Sequence, residues 1–258
     1  MRLNRVWIWR TVVALLLFGS WEAVSGPVID AFWFSRPSEI VVYLWGIILD
    51  GQLASDLKLT FRATVEGYFY GALAGLAMGF VLAQNDTVAL VLNPFVLAVY
   101  GIPRIALAPI FLLWFGIGLT SKVMMAAMMT FMLVLFNTYE GIRACDLELK
   151  NVARVMGSSR LQLFRYVILP NASPWIVAGL RISIPQALVA AVVGEFIAST
   201  GGLGFRIMET TSSLDTTGTM TSILILMFIV LLLNLLLDRV ERRLFKWRPK
   251  ETSSQNSG

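Results

Sequence analysis

Hydrophobic positions along this chain gather into long blocks and do not alternate at the spacing of a half-buried strand or a soluble helix face. The blocks cover residues 6–24, 63–83, 88–118, 123–139, 175–200 and 219–237. A helix needs roughly 20 apolar residues to cross a hydrocarbon layer, and most of these blocks match that length. The pattern predicts an all-α integral membrane protein with about six transmembrane helices. The block at 88–118 is too long for one upright span and too short for two, and Pro94, Pro103 and Pro109 interrupt it. It reads as one crossing that continues into a broken or tilted segment, or as a span with an ordinary proline kink. Irregular backbone is tolerated at membrane depth where protein or a water-lined cavity covers it, so 101–109 is a candidate pathway lining.

The organisation follows from these blocks. Residues 1–28 form an N-terminal transmembrane helix, read as uncleaved, and 29–62 a mixed-charge connecting segment outside the cytoplasm. Residues 63–240 form a five-helix core that carries a cytoplasmic loop at 140–170, and 241–258 a basic tail. Composition agrees: 57% of the 258 residues are hydrophobic and 14% charged, with mean hydropathy +0.73. A soluble domain carries about 25% charged residues.

Charge sets the expected sidedness. Most of the 21 basic residues fall in three places: at the start of the chain (Arg2, Arg5, Arg10), between the fourth and fifth blocks (Arg143, Lys150, Arg154, Arg160, Arg165), and after the last. With six spans all three places share one side. The positive-inside rule then puts both termini and the middle loop in the cytoplasm of a cell whose plasma membrane holds the chain. This placement also removes nucleic acid as the reason for the net charge of +5. There is no histidine and only one cysteine, Cys145, so imidazole chemistry, an internal disulfide and a cysteine metal cluster are excluded. No catalytic residue, bound metal or bound cofactor is expected.

Within the second block Gly67, Gly71, Gly75 and Gly79 recur every four residues. In lipid such a stripe lets two helix backbones approach closely, so this helix is expected to pack inside a bundle. The methionines at 124, 125, 128, 129 and 132 read as adaptable packing. Among ionisable residues inside the blocks, Arg181 is expected to snorkel from a helix end. Arg104, beside Pro103, is a candidate attractor for an anion in the pathway, with anchoring of a helix end as its rival role. Glu195 is expected near the outer end of its helix, within reach of water, as a gate or subunit contact. With Pro103, Arg104 and Pro109 it completes the candidate translocation path.

The loop at 140–170 is too ordered for a connector. Leu149, Val152, Ala153 and Met156 fall on one helical face after Asp146, a reasonable N-cap, and Gly157 stands where a left-handed stop is expected. Ser159 with Gln162 three residues on has the capping-box pattern, and a second short helix is expected to end at Pro170. An amphipathic cytoplasmic element of this kind needs a partner, or lies on anionic lipid.

Asn151-Val152-Ala153-Arg154-Val155-Met156-Gly157, then Ser158, Ser159 and, further on, Ile168-Leu169-Pro170, resembles the "EAA" loop of binding-protein-dependent ATP-binding-cassette (ABC) permeases. Ala153, Gly157, Leu169 and Pro170 match that pattern, whereas Asn151 stands for the usual Glu and Val152 for the first Ala. Gly101-Ile102-Pro103, Ala106-Leu107-Ala108-Pro109, Trp114-Phe115-Gly116-Ile117-Gly118, Gly179-Leu180-Arg181, Glu195-Phe196 and Gly201-Gly202-Leu203-Gly204-Phe205 resemble the nitrate/sulfonate/taurine-type branch. The resemblance implies a type I importer bundle and a transport mechanism. The loop's coupling helix docks on a dimer of cytoplasmic ATPase subunits, which carry the ATP and magnesium. Two permeases, expected to be a homodimer, enclose the path, and a periplasmic or lipid-anchored binding protein delivers a small solute. The sequence agrees with divided labour, because no Gly-x-x-x-x-Gly-Lys-Ser/Thr phosphate loop occurs. The rivals are an ion-gradient-driven secondary transporter, which lacks support from any internal repeat, a lipid-acting enzyme and a scaffolding subunit.

Overall fold

The structure, a computed structural model, describes residues 2–84 and 101–244 and isolated positions between them. The basic tail beyond Leu244, most of 85–100 and the Arg104 side chain lie outside the described residues. Four described helices are long and apolar enough to cross a membrane, and they begin at Gln52, Leu119, Arg160 and Thr216. In chain order the helices are α1 (Arg2–Val24), α2 (Ala31–Phe34), α3 (Pro37–Leu49) and α4 (Gln52–Gln84). A tight turn at Arg104–Leu107 leads into α5 (Ala108–Phe115) and α6 (Leu119–Arg143). Then come α7 (Leu147–Val155), α8 (Arg160–Leu163), α9 (Leu169–Ala198), α10 (Leu203–Ser212) and α11 (Thr216–Leu244).

The mixed-charge segment at 29–62 is more ordered than its composition suggests. It contains α2 and α3, and α4 starts at Gln52, so the boundary drawn at residue 62 falls inside a helix. Charged side chains do not stop a helix when they can pair along it, and Arg62 Nε lies 2.7 Å from Glu66 Oε1 one turn on. At about 1.5 Å per residue α4 is roughly 50 Å long, well beyond the 30 Å or so of hydrocarbon.

The core is built on α4, α6 and α9. Along α4, Gly67 faces Val123 and Ala126, Gly71 faces Ala127 and Thr130, Gly75 faces Phe131 and Val134, and Gly79 faces Leu135 and Thr138. The pairing advances in the same sense on both helices, so α4 and α6 run parallel, and the connection between them has to recross the bundle. A Cβ added at Gly71 would lie 2.2 Å from the Ala127 carbonyl oxygen. The helices are therefore in backbone contact, as small-residue stripes allow where apolar burial supplies no drive. Helix α9 runs antiparallel to α6: Gly141 meets Trp175, Gly179 meets Asn137 and Gly194 meets Lys122. Helix α11 packs against α9 through Leu188, Val192 and Ile229. The methionines of α6 act as packing, with Met125, Met124 and Met128 filling the space between α6, Ala108 and Phe111.

The rods thus share two ends. One end carries Gln84, Arg143 and the start of α9; the other carries Gln52, Leu119 and Ala198. The α1–α3 connection is tied to this second end, where Ser35 Oγ lies 2.9 Å from Thr217 Oγ1 at the start of α11.

Candidate functional site

The loop between α6 and α9 is held by local rules. Asp146 Oδ1 accepts from the Glu148 amide at 2.8 Å, which caps α7. The helix stops in a Schellman arrangement, with Ser158 N donating to Ala153 O (3.1 Å) and Gly157 N to Arg154 O (2.9 Å). Gly157 sits at φ +79°, a conformation glycine adopts without steric cost. At Ser159 the capping box is complete: Ser159 Oγ accepts from Gln162 N (3.3 Å) and Gln162 Oε1 accepts from Ser159 N (2.8 Å). Ser159→Ala is expected to cost about 1 kcal/mol of local stability, read as faster amide exchange at Gln162.

The loop's base is anchored and its helix is bare. Ile142, Ala172 and Ile176 bury together with Leu76 and Phe80 against them, and the Phe80 and Phe164 rings meet edge to face at 5.7 Å. Cys145 is buried at this base. By contrast α7 has no buried residue: Val155 is 89% exposed and Met156 81%, and Leu149 and Val152 are also exposed. Asn151 and Arg154 face solvent, and Ala153 and Ser158 are half-buried. An apolar face turned away from its own protein is built for contact with another surface.

Pro170 departs from expectation. It does not end a helix; the chain passes from α8 through a wide turn at Phe164–Ile168 straight into α9. Leu169 N donates to Phe164 O, five residues back, which opens the ladder just where proline's missing N–H and ring need room. Leu169 and Pro170 therefore form the joint that makes loop and α9 one mechanical piece.

The candidate path residues lie on separate elements, Pro103 and Pro109 at the start of α5 and Glu195 near the end of α9. Pro103 precedes the turn at Arg104–Leu107, and Pro109 lies in the first turn of α5, where proline is tolerated; neither kinks a long helix. Gly101, Ile102 and Pro103 are exposed. Glu195 needs correction, because it is not at a water-reaching position: it is 1% exposed, inside the subunit. Arg181 pairs with Asp238 of α11 instead of only snorkelling.

Around Glu195 lies a cluster that sequence reasoning missed. Thr60 Oγ1 donates to Glu195 Oε1 at 2.9 Å, and Gly204 N donates to Glu195 Oε2 at 2.8 Å. Leu203 N donates to Thr60 Oγ1 (3.0 Å) and Gly202 N to Asp56 Oδ1 (3.0 Å). Arg206 Nε donates to Asp56 Oδ2 at 2.6 Å, and its Nη1 to Gln52 Oε1 at 3.0 Å. Lys122, 4% exposed, donates to Ser199 Oγ at 2.6 Å and Gly201 O at 3.4 Å. The first amides of α10, which no helical carbonyl can satisfy, are thus satisfied by side chains of α4 and α9, with a carboxylate at the positive end of the dipole. Asp56 and Thr60, four apart on one helix face, were the available signal.

Comparison with known proteins bears on both ends. The family model described as binding-protein-dependent transport system inner membrane component matches residues 71–248. The putative aliphatic sulfonates transport permease protein SsuC of Bacillus subtilis is 31% identical over 94% of this chain and 88% of its own. The riboflavin transport system permease protein RibX of Chloroflexus aurantiacus is 36% identical over 92% and 88%. A solved inward-facing MetNI methionine ABC transporter aligns with TM-score 0.66 at 21% identity, covering 76% of this chain and 97% of that one. At that identity the likeness is one of fold.

Proposed function

This chain belongs to the binding-protein-dependent transport system inner membrane components, and from that premise we propose how its two ends divide the work of import. The chain is the multi-pass permease subunit of an ABC importer in the inner membrane; it is neither an enzyme itself nor a gradient-driven transporter, and its partners include an ATPase and a substrate-binding protein. The observation that carries the finer reading is the uncovered apolar face of α7 beside a rigid, buried base. Helix α7 is the coupling helix. It docks on a cytoplasmic ATPase pair that holds ATP and magnesium, so 140–170 and both termini face the cytoplasm. Closure of the pair moves α7; the Ile142–Ala172–Ile176 cluster and the joint at Pro170 pass that motion to α6 and α9. Because α4 and α6 are in backbone contact along the glycine stripe, they move as one body, and the pathway switches from inward- to outward-facing.

Two copies of this permease enclose the pathway. The solute is read as small and of the sulfonate or taurine class: relatives named for aliphatic sulfonates and taurine match over more than nine-tenths of this chain, as does one named for riboflavin. Arg104 attracts its anionic group. The test is uptake into vesicles that hold the permease with its ATPase and binding protein, supplied in turn with taurine, an alkanesulfonate, riboflavin and a formylaminopyrimidine. Uptake of the first two, lost without the ATPase while ion gradients are intact, is the expected result. Arg104→Gln should slow anion uptake with ATPase association unchanged. Equal uptake by that variant would remove Arg104 from the path, and uptake of riboflavin alone would replace the substrate class.

A further inference from the structure

Four buried charges sit at the end of the bundle remote from α7, and coupling to an ATPase leaves them without a role. Asp56 and Arg206 form an ion pair at 2.6 Å, Glu195 and Lys122 lie beside it, and two carboxylates against two cations leave the set neutral. Replacing buried ion pairs by apolar side chains of similar volume is often neutral or stabilising, so core strength does not account for them; fixing a register or a switch is the best-attested use.

The geometry shows what register is fixed. Asp56 and Thr60 come from α4, Lys122 from α6 and Glu195 from α9, and each bonds the backbone or Ser199 of the turn at 199–204, while Arg206 of α10 holds Asp56 from the other side. The other ends of α4, α6 and α9 hold the anchored loop. A shift of any one rod against the others at this end therefore has to break a hydrogen bond to the turn. Helix α9 also has a place to bend between its two ends: Pro185, ten residues before Glu195, lacks an N–H, and so one carbonyl a turn earlier has no helical partner. Gly202, at φ +110°, gives the turn its shape.

We propose that Asp56, Thr60, Lys122, Glu195 and Arg206 form a latch that pins α10 and the 201–204 turn against the ends of α4, α6 and α9 and releases when the rods shift. These are positioning residues: they act through the pose of α10. The motion that opens the latch rests on the permease reading, but the closed state does not.

The experiment places one reporter cysteine at Leu203, buried in the closed turn, in a chain whose Cys145 is replaced by serine, with Val192→Cys as a second reporter. The full chain, with its ATPase, is reconstituted and exposed to a charged, membrane-impermeant maleimide. The parent should be protected without nucleotide and labelled after trapping with ATP and vanadate. Asp56→Asn should label without nucleotide, faster than the parent by about tenfold or more, since breaking one partner of a buried pair leaves the other uncompensated. Asp56→Asn combined with Arg206→Gln should label no faster than the faster single variant, because both break the same pair, a non-additivity that a general loosening does not give. Protection that survives Asp56→Asn at both reporters overturns the latch, as does a parent that stays protected after trapping with its ATPase bound. If no ATPase associates, the coupling reading falls separately, and labelling of Asp56→Asn alone decides the latch.

Discussion

Alanine at position 71 is expected to destabilise this protein by about 3 kcal/mol or more, while alanine at position 46 stabilises it slightly. The chemical change is the same: one methyl group and a helix interior freed of glycine. The surroundings differ. Nothing lies within 4 Å of a Cβ built at Gly46, so the gain in helix propensity, about 0.5–1 kcal/mol, is all that changes. At Gly71 the methyl would meet the Ala127 carbonyl oxygen at 2.2 Å and the Thr130 Cβ at 2.7 Å. Both belong to parts of α6 that cannot rotate away, so α4 and α6 must separate. The separation also costs the contacts at Gly67, Gly75 and Gly79, which belong to the same seam. Thermal unfolding of the detergent-purified protein checks the pair, and equal shifts for the two variants would falsify the packing account. At Gly67 the nearest atom is the Ala126 Cβ at 2.4 Å, with the Val123 oxygen at 2.7 Å. Gly67→Ala should accordingly be rescued only in part by Ala126→Gly, a coupling that a double-mutant cycle measures directly.

That seam was legible in the sequence because its rule is local: four glycines in register predict a bare helix face whatever the rest of the chain does. The caps at Asp146 and Ser159 and the stop at Gly157 were legible for the same reason, each being settled within three or four residues. The start of α4 was not. Asp56, Lys58 and Arg62 read as the charges of an external segment, and partners about 150 positions away, the Arg206 side chain and the Gly202 amide, make a buried Asp56 tolerable. Glu195 misled in the same manner: its partners Thr60 and Gly204 come from other helices, so its position along the sequence suggested water where the structure supplies hydrogen bonds. Pro170 was read as a helix end since proline ends most helices. The wide turn that absorbs it needs cooperation from Phe164, whose ring is held by Phe80.

The contrast between the two ends has a physical reason. At the far end polar groups are sealed inside one chain, and the Gly202, Leu203 and Gly204 amides that open α10 are satisfied there by side chains. At the loop end the caps of α7 and α8 are also made, yet α7 has no buried residue and its apolar side chains are exposed. A fold that can bury Asp56 and Glu195 does not leave Val155 and Met156 bare for want of packing capacity. On the proposed reading, the exposed face is completed by the ATPase.

The second large effect is therefore expected on that face, and it should separate folding from coupling. Met156→Asp and Val155→Asp introduce a charge where neither side chain touches its own protein, at 81% and 89% exposure. Surface changes of this kind usually move stability by less than about 0.5 kcal/mol, so both variants should insert, purify and unfold like the parent. Association with the ATPase should nevertheless weaken at least about thirtyfold, the scale of losing a central hot spot worth 2 kcal/mol or more, because a carboxylate has to be desolvated in an apolar contact. Asn151, exposed one turn before Val155, stands where the family pattern carries Glu. It has no charge to offer, so the apolar face bears the contact, and Asn151→Ala should change the affinity by less than about threefold, as a rim position does. Pull-down of the ATPase by the purified permease, with unfolding temperature measured on the same samples, reads both quantities. Unaltered association of Met156→Asp would move the docking surface away from α7. Lost association together with a lowered unfolding temperature would instead mean that this face packs within the permease dimer.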